Sequence, residues 1–352
     1  MRHTLDRSLR GVEGINPFLQ VVMGFGWFGV LLFFTLSGFL IGGMIYEEVR
    51  EDRFSARTFY MRRVLRILPA AFFFLTVVYW SKLSFDKITL YNYLFITNYT
   101  WVSFADHYWS LNVEEHFYLI FPFLFALLYR VLSKRADRVL SAFACGIVFV
   151  WVLRAYVGVT QHPSFLFPGN ISMASHWQVD YFLFGVAGAI LRAEGWAPRK
   201  KWLSLVLLST PVLFVFLAYV TAQMGASVTV GLTSAHMALL APSFAMLSFL
   251  FVLCAATQED AFTKVLSCRV FGWIGLLSYS MYIWHMVVIA WVGGHKGFLS
   301  GISDPNVYAA AVFAVNVAGT MSAAVLSYDF IERPFLALRR VLPVSRLAGG
   351  DG

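Results

Sequence analysis

Charged residues are scarce in this chain, since Asp, Glu, Lys and Arg together make up 13% of its 352 residues. Soluble globular domains carry about 25% charged residues, so this scarcity excludes an ordinary soluble protein. Cysteine is also scarce, and the three cysteines show no metal-ligand spacing, so no metal site is predicted. A cleavable signal peptide is not expected, because residues 1–20 contain three arginines and no apolar run.

Long apolar stretches take up most of the chain, of which 59% is hydrophobic. Each stretch must be helical, because lipid cannot satisfy an exposed backbone, and a helix needs about 20 residues to cross the hydrocarbon. The fold class predicted is an all-α, polytopic integral membrane helical bundle with about nine transmembrane helices. The nine predicted spans cover residues 21–45, 64–80, 108–129, 139–157, 179–191, 202–221, 235–256, 270–292 and 307–328.

Two stretches depart from this pattern. The run 179–191 is short for a span, and the stretch 88–99 is too polar to cross the bilayer. We expect residues 88–99 to lie flat at the outer surface or to re-enter the membrane.

Basic residues are concentrated in alternate loops. The loops near residues 50–63, 130–138, 192–201 and 264–269 and the tail after Arg333 hold nearly all of them, whereas the intervening loops offer only Lys82, Lys87 and Lys296. The positive-inside rule therefore places the C-terminus inside and residue 1 outside. The net charge of +8 is interpreted as topology-setting charge that meets anionic lipid, with no nucleic-acid partner.

The densest polar cluster is HYWSLNVEEHFYLIFP, residues 107–122. Ser110, Glu114 and Tyr118 recur at spacings of four, which places them on one helical face, with Trp109 close by. Polar side chains at membrane depth usually face a cavity and are candidates for function. The alternative is an aromatic belt at the outer interface, with acidic residues favouring a helix N-terminus.

A second polar face occurs in LLSYSMYIWH, where Ser278, Tyr282 and His285 follow one another at spacings of four and three. Such a His is either part of a polar lining or a bundle residue with satisfied hydrogen bonds, and the pattern does not decide between them.

Arginines in FYMRRVLRILP form a third candidate group, because Arg63 and Arg66 lie three residues apart. Guanidinium groups suit phosphate oxygens. The alternative is that these arginines only set the topology.

The segment SYDFIERPF places Tyr328 and Glu332 on one face before Pro334. Since proline disfavours helix at the preceding residue, we expect the helix to end or kink at Arg333. Glu332 is either a site carboxylate or the partner of a membrane-edge ion pair.

Two further patterns concern packing. Gly38 and Gly42 are spaced for close helix contact. Arg154 and Asp180, which flank the loop 158–178, are expected to pair across the bundle or to line a pore mouth.

These motifs, together with GWFGVLLFFTLSGFLI, occur in the order and spacing of the membrane-bound acyltransferase-3 family, which the chain resembles over about residues 24–336. The resemblance implies a ten-helix enzyme of the inner membrane that moves an acyl group, commonly acetyl, from cytoplasmic acyl-coenzyme A. The implied acceptor is a hydroxyl of a glycan, lipid-linked sugar or secondary metabolite. Acyl-coenzyme A would be a donor substrate, and no bound cofactor is implied. The expected layout is an N-terminal remnant at 1–20, an acyltransferase domain at 21–336 and a cytoplasmic tail at 337–352.

One departure concerns the first helix of the family, which carries Arg or Lys and, eleven positions later, a His thought to be the catalytic base. His3 lies about where that His would fall relative to GWFGV. The chain is therefore expected to lack most of that helix, and the form as given is expected to be nearly inactive. The alternative is that His3 is a disordered terminal residue.

The resemblance also implies roles for residues in the matching motifs. His3 is the expected catalytic base, and Glu332 or Glu114 is expected to orient it or to stabilise its imidazolium form. Arg63 and Arg66 are expected to hold the phosphates of the donor, and the other substrate-binding candidates are Trp109, Ser110, Tyr282 and His285.

Two other functions stay open on the sequence alone. A polar-lined bundle is also typical of a transporter, although no internal repeat is visible. A relative that lacks the first helix could also be inactive and serve only as a binding protein or scaffold.

Overall fold

The computed structural model describes residues 26–80, 87–100, 107–160, 173–196, 234–257 and 261–338, with isolated residues between 9 and 19 and between 205 and 216. Within these ranges the chain is helical and contains no β-strand. The helices are α1 (Gly26–Arg50), α2 (Ala56–Trp80), α3 (Lys87–Tyr93), α4 (Thr97–Thr100), α5 (Tyr108–Val131), α6 (Ala136–Thr160), α7 (Val179–Ala193), α8 (Ser234–Thr257), α9 (Ala261–Leu266), α10 (Arg269–Gly294), α11 (Pro305–Ser327) and α12 (Arg333–Leu338).

Six of the described helices are long and apolar enough to cross a membrane. They are α1, α2, α5, α6, α10 and the continuous segment from α11 to α12. Helix α7 is short, as its sequence predicts, and α8 provides a shorter apolar segment over Ala241–Thr257. The prediction of a polytopic helical membrane bundle is confirmed. The predicted span 202–221 lies largely outside the described residues.

Helix α2 begins at Ala56, eight residues before the predicted start at 64. The hydroxyl of Ser55 accepts a hydrogen bond from the backbone N–H of Thr58 at 3.3 Å, which caps the helix. The predicted span was drawn from hydropathy, which leaves out the arginines between residues 56 and 63. Arg is nevertheless a good helix former. As a result Arg63 lies two turns inside the helix rather than in a loop.

At the end of α11, the prediction was that the helix stops or kinks at Arg333. The helix does not stop at Arg333, because a π-helical turn over Tyr328–Glu332 joins it to α12. Pro334 has no backbone N–H to donate to the preceding turn, and the wider turn falls immediately before it. Such π turns frequently occur at functional sites.

The polar stretch 88–99 forms two short helices, α3 and α4, neither long enough to cross a bilayer. Phe95 separates them with a φ of 56°, in the left-handed region that non-glycine residues rarely adopt. The buried Asn92 amide donates a hydrogen bond to the hydroxyl of Tyr79 at 2.5 Å, which fixes α3 against α2.

Helices α1 and α7 pack at very short range through glycine. A Cβ added to Gly38 would overlap the backbone of Phe182, and one added to Gly185 would overlap the carbonyl oxygen of Thr35. Gly42 meets the side chain of Val186 in the same way. The predicted close helix contact is therefore confirmed, and it holds α1 rigidly beside the interior of the bundle.

The predicted pair of Arg154 and Asp180 is also confirmed, since Nη2 lies 2.9 Å from Oδ1 and Nη1 lies 3.1 Å from Oδ2. The two side chains are 2% and 0% exposed. This pair joins α6 to α7 inside the bundle and does not line an open pore mouth.

Candidate active site

Glu114 of α5 lies inside the bundle, where its side chain is buried. Its Oε1 accepts a hydrogen bond from the hydroxyl of Ser37 on α1 at 3.0 Å and another from Tyr118 one turn further along α5. The hydroxyls of Ser37 and Tyr118 are themselves 2.7 Å apart. The predicted pairing of Glu114 with Tyr118 on one face is thus observed. Ser37 was not predicted, because nothing within GWFGVLLFFTLSGFLI distinguishes it from a packing residue.

Arg63 of α2 completes this cluster. Its guanidinium lies over the ring of Tyr118, with Cζ 4.8 Å from the ring centroid, which is a favourable cation–π arrangement. The charges of Arg63 and Arg66 both act on the Glu114 carboxyl group. Because α2 starts earlier than predicted, both arginines lie inside the helix and not at its end.

Glu332 is the second buried carboxyl group, and it belongs to the π turn after α11. The hydroxyl of Ser280 on α10 donates a hydrogen bond to it, and the charge of Arg66 acts on it. Arg333 pairs instead with Asp329, at 3.3 Å on the exposed side. The alternative of a membrane-edge ion pair therefore applies to Asp329, whereas Glu332 faces the interior.

The sequence indicated Ser278 on α10, but Ser280 is the serine that reaches a carboxyl group. The hydroxyl of Ser278 donates to the carbonyl of Gly275 in its own helix at 2.8 Å. A spacing of two residues turns a side chain by about 200° around a helix, so Ser278 and Ser280 face opposite ways. The spacing placed Ser278 on the face of Tyr282, and it gave no indication of Ser280.

Tyr279 of α10 was also missed. Its hydroxyl donates to the carbonyl oxygen of Ile67 on α2 at 2.8 Å. It interacts electrostatically with Glu114, Glu115 and Glu332. The charges of Glu114, Glu115 and Glu332 thus all act on one tyrosine, and the charge of Arg66 acts on both Glu114 and Glu332.

A separate polar group lies where α5 begins. Tyr282 of α10 donates a hydrogen bond to the carbonyl oxygen of His107 and shares another with the hydroxyl of Ser110. The Nδ1 of His285 lies 2.5 Å from the carbonyl oxygen of Tyr282, and the rings of His107 and His285 are 4.9 Å apart. The structure thus brings Ser110, Tyr282 and His285 together, with His107 as an additional member.

The remaining candidate residues are not hydrogen-bonded to these two groups in the part of the chain that the structure describes. Trp109 is buried, and its ring packs edge-on against Phe34 of α1, with centroids 6.0 Å apart. His116 faces Ser175, with its Nδ1 2.7 Å from the serine hydroxyl oxygen, and it does not contact Glu114 by any hydrogen bond described. His3 lies outside the described residues.

The chemical capacity of the interior follows from these contacts. Two buried carboxyl groups can accept or release a proton, or orient an imidazole. The arginines provide donors suited to an anionic group such as a phosphate. The polar group of Tyr282 and His285 provides hydroxyl and imidazole groups beside Ser110, one helical turn before Glu114 on α5.

A model of a family described as an acyltransferase domain matches residues 1–325 of the chain. The chain is similar to the peptidoglycan O-acetyltransferase OatA of Listeria monocytogenes, with 27% identity over 340 residues that cover 88% of this chain and 51% of the relative. It is also similar to the O-acetyltransferase OatA of Staphylococcus aureus, with 25% identity over 372 residues that cover 93% and 57%. The chain spans about half the length of the curated relatives it matches. No solved structure matches significantly.

Proposed function

Because the chain belongs to the acyltransferase-3 family, we propose that it is a membrane O-acyltransferase that moves an acetyl group from acetyl-coenzyme A to a hydroxyl group. The acceptor class that we propose is a cell-surface glycan, because the Listeria relative is named a peptidoglycan O-acetyltransferase. The inner membrane is the proposed location. The observation that carries this proposal is the interior cluster of Glu114, Glu332, Arg63 and Arg66.

The arginines would hold the donor. A coenzyme A molecule carries phosphate groups, and Arg63 and Arg66 provide charge-assisted donors whose charges act on the interior carboxyl group of Glu114. Binding the phosphates here would bring the thioester toward the middle of α5. In this placement the acyl group of a donor that enters from the cytoplasm would lie inside the bundle, where water is scarce.

The carboxyl groups would assist a base. Acylation of an alcohol requires removal of the hydroxyl proton as the oxygen attacks the thioester carbon, and imidazole suits this task near neutral pH. We propose His3 as the base, with Glu114 or Glu332 orienting it or stabilising its charged form. The proton would then pass to the departing thiolate.

The group around Tyr282 would receive the acceptor. Ser110, Tyr282 and His285 supply hydroxyl and imidazole groups that suit the hydroxyls of a sugar. Trp109, the neighbour of Ser110 on α5 and buried beside α1, would provide a further contact for the acceptor. Holding the acceptor hydroxyl close to the thioester is expected to supply a large share of the rate.

The test is transfer of labelled acetyl groups in lipid nanodiscs by the purified protein to which a helix supplying the family's first span has been added before residue 1. Release of coenzyme A should depend on an added glycan acceptor, and label should appear on that glycan as an ester. His3→Ala should lower kcat by roughly 10²–10⁴-fold, the contribution of a general base. Glu47→Gln, at an exposed site on α1, is the control and should leave kcat unchanged.

Two outcomes would contradict the proposal. If labelled acetyl-coenzyme A is neither bound nor consumed, while a solute accumulates in vesicles that contain the protein, the chain is a transporter. If His3→Ala retains full turnover, the base has to be another imidazole, with His285 and His116 as the next candidates.

A further inference from the structure

A serine and a histidine that the interior cluster does not use lie in contact on another side of α5. Ser175 begins the short 3₁₀ helix Ser175–Trp177 before α7, and His116 projects from α5. The hydroxyl oxygen of Ser175 lies 2.7 Å from Nδ1 of His116. Both side chains are partly exposed, so the pair is not sealed inside the core.

Two additional contacts give this pair a defined orientation. The imidazole of His116 makes a hydrogen bond with the backbone of Phe95, the residue whose φ of 56° turns the chain between α3 and α4. The buried side-chain amide of Asn98 donates a hydrogen bond to the hydroxyl of Ser175 at 2.9 Å. Nδ1 is the ring nitrogen that faces the hydroxyl of Ser175, and it can accept that proton in the tautomer that carries its hydrogen on Nε2.

This geometry has the features of an activated nucleophile. A nucleophile is activated by a base at hydrogen-bond distance, about 2.6–3.2 Å, when a third group orients that base. Ser175, His116 and the Phe95 backbone supply these three parts, and they come from three separate elements. The Asn98 amide adds a donor that can stabilise negative charge on the serine oxygen.

The pair is distinct from the interior cluster. Positions two residues apart on an α-helix point about 200° apart, so His116 and Glu114 face opposite sides of α5. Glu114 faces Ser37 on α1, whereas His116 faces the 3₁₀ helix. The two sites lie at nearly the same depth, because the rise between these residues is only about 3 Å.

Aromatic rings flank the pair. The ring of Tyr99 lies 5.9 Å from that of His116 and is stacked 6.0 Å from that of His176. Burial lowers the pKa of His176 from its ordinary value, which favours the uncharged imidazole. These flat, uncharged walls suit a small planar acyl group such as an acetyl ester.

We propose that Ser175 is a nucleophile that becomes covalently acylated, with His116 as its general base. The inference rests on the proposed function only for the identity of the physiological donor, an acyl thioester. In the first step the Ser175 oxygen bonds to the acyl carbon, the carbon–sulfur bond breaks, and the serine proton passes through His116 to the thiolate. In the second step an acceptor hydroxyl attacks the acyl-serine, and its proton passes through His116 to the released Ser175 oxygen.

The experiment uses the purified full-length chain and 4-nitrophenyl acetate, a small activated ester. Peptide mass spectrometry should find an acetyl group on Ser175 within the first turnover, and added glycerol should accelerate its loss. His116→Gln keeps a hydrogen-bonding side chain but removes the base, so acetylation should slow by roughly 10²–10⁴-fold. Ser175→Cys should instead form a thioester, which neutral hydroxylamine cleaves.

Ser322 provides the matched control, because its hydroxyl is exposed on α11 and bonds only to Ala318 of its own helix, at 2.9 Å among the contacts described. If Ser175 is acetylated no faster than Ser322, the proposal is overturned and the serine–histidine contact is structural. Acetylation that is unaffected by His116→Gln overturns the role of the base. Thermal unfolding of each variant shows whether it is folded.

The outcome separates this inference from the proposed function. If acetyl-coenzyme A is not consumed but 4-nitrophenyl acetate still labels Ser175, the proposed function fails and the nucleophile stands. If acetyl transfer from acetyl-coenzyme A proceeds while Ser175 stays unlabelled with both donors, the nucleophile is overturned and the proposed function stands.

Discussion

Arg154 of α6 and Asp180 of α7 form a two-point ion pair, with N–O distances of 2.9 and 3.1 Å, and both side chains are almost completely buried. Trp151 donates a further hydrogen bond to Asp180 at 2.9 Å, and Arg154 also donates to the carbonyl of Trp177. All these contacts join the end of α6 to the start of α7. They therefore fix α7 in the position from which it packs against α1.

We predict that Arg154→Met and Asp180→Asn each strongly destabilise the protein, because each leaves a buried charge without its partner. Breaking a buried pair in this way costs about 3–5 kcal/mol. The double variant should recover part of this loss, since no charge is then left unpaired. Thermal unfolding of the two single variants and the double variant in the same detergent measures these losses of stability. Two single effects that simply add would contradict the coupling.

Gly38→Ala is predicted to destabilise the contact between α1 and α7. The new Cβ would overlap the backbone of Phe182, and backbone cannot move aside as a flexible side chain can. Overpacking of this kind costs about 1–3 kcal/mol. Gly29→Ala on the same helix is the control, since nothing lies within 4 Å of its added Cβ. Equal unfolding temperatures for the two variants would argue against the close packing.

Arg63→Ala and Arg66→Ala are predicted to raise the KM for acyl-coenzyme A more than the KM for the acceptor. Loss of a charge-assisted hydrogen bond costs about 1.5–3 kcal/mol, which is a factor of roughly 10–150 in affinity. Arg57→Ala, at an exposed site in the same helix, should change neither constant. An unchanged donor KM in the first two variants would leave these arginines as topology signals.

Ser280→Ala and Glu332→Gln are predicted to lower kcat through one shared interaction, because the Ser280 hydroxyl donates directly to Glu332. If the serine acts only by holding that carboxyl group, the double variant should be no slower than Glu332→Gln alone. A double-mutant cycle on kcat measures this coupling. Ser278→Ala is the matched control, since that hydroxyl bonds within its own helix.

The sequence predicted the helices well, because apolar runs of span length have only one structure available in lipid. It predicted their ends poorly. The start of α2 depends on capping by Ser55 and on helix-forming arginines. Neither feature raises the hydropathy of the sequence, from which the spans were predicted. The π turn before Pro334 depends on how the backbone adapts to a missing donor, which a residue pattern does not reveal.

Contacts within one helix were also predictable, whereas contacts between helices were largely not. Glu114 and Tyr118 were assigned to one face from their spacing, and they do share a hydrogen bond. Ser37 and Ser280 were missed because each acts on a residue of another helix, at sequence separations of 77 and 52. Arg154 and Asp180 were paired correctly, since two opposite charges at membrane depth have few other ways to be stabilised.

The last prediction concerns which end of the bundle faces the cytoplasm. Lys134, between α5 and α6, lies 2.8 Å from Asp52, between α1 and α2, and it lowers the pKa of that exposed carboxyl group. Arg50 lies 2.9 Å from Glu194 at the end of α7. Three of the basic loops therefore meet at one end of the bundle, as the alternation of charge requires.

The positive-inside rule makes this end cytoplasmic. A phosphatase reporter inserted between residues 161 and 172 should be active outside the cell, whereas a fusion after Arg346 should be inactive. A fluorescent protein, which matures only in the cytoplasm, should give the reverse pattern at the same two sites. An insertion after Ser133 is the control for the basic end and should match the C-terminal fusion. If the 161–172 and C-terminal reporters indicate the same side, the orientation is wrong, because an odd number of spans must separate them.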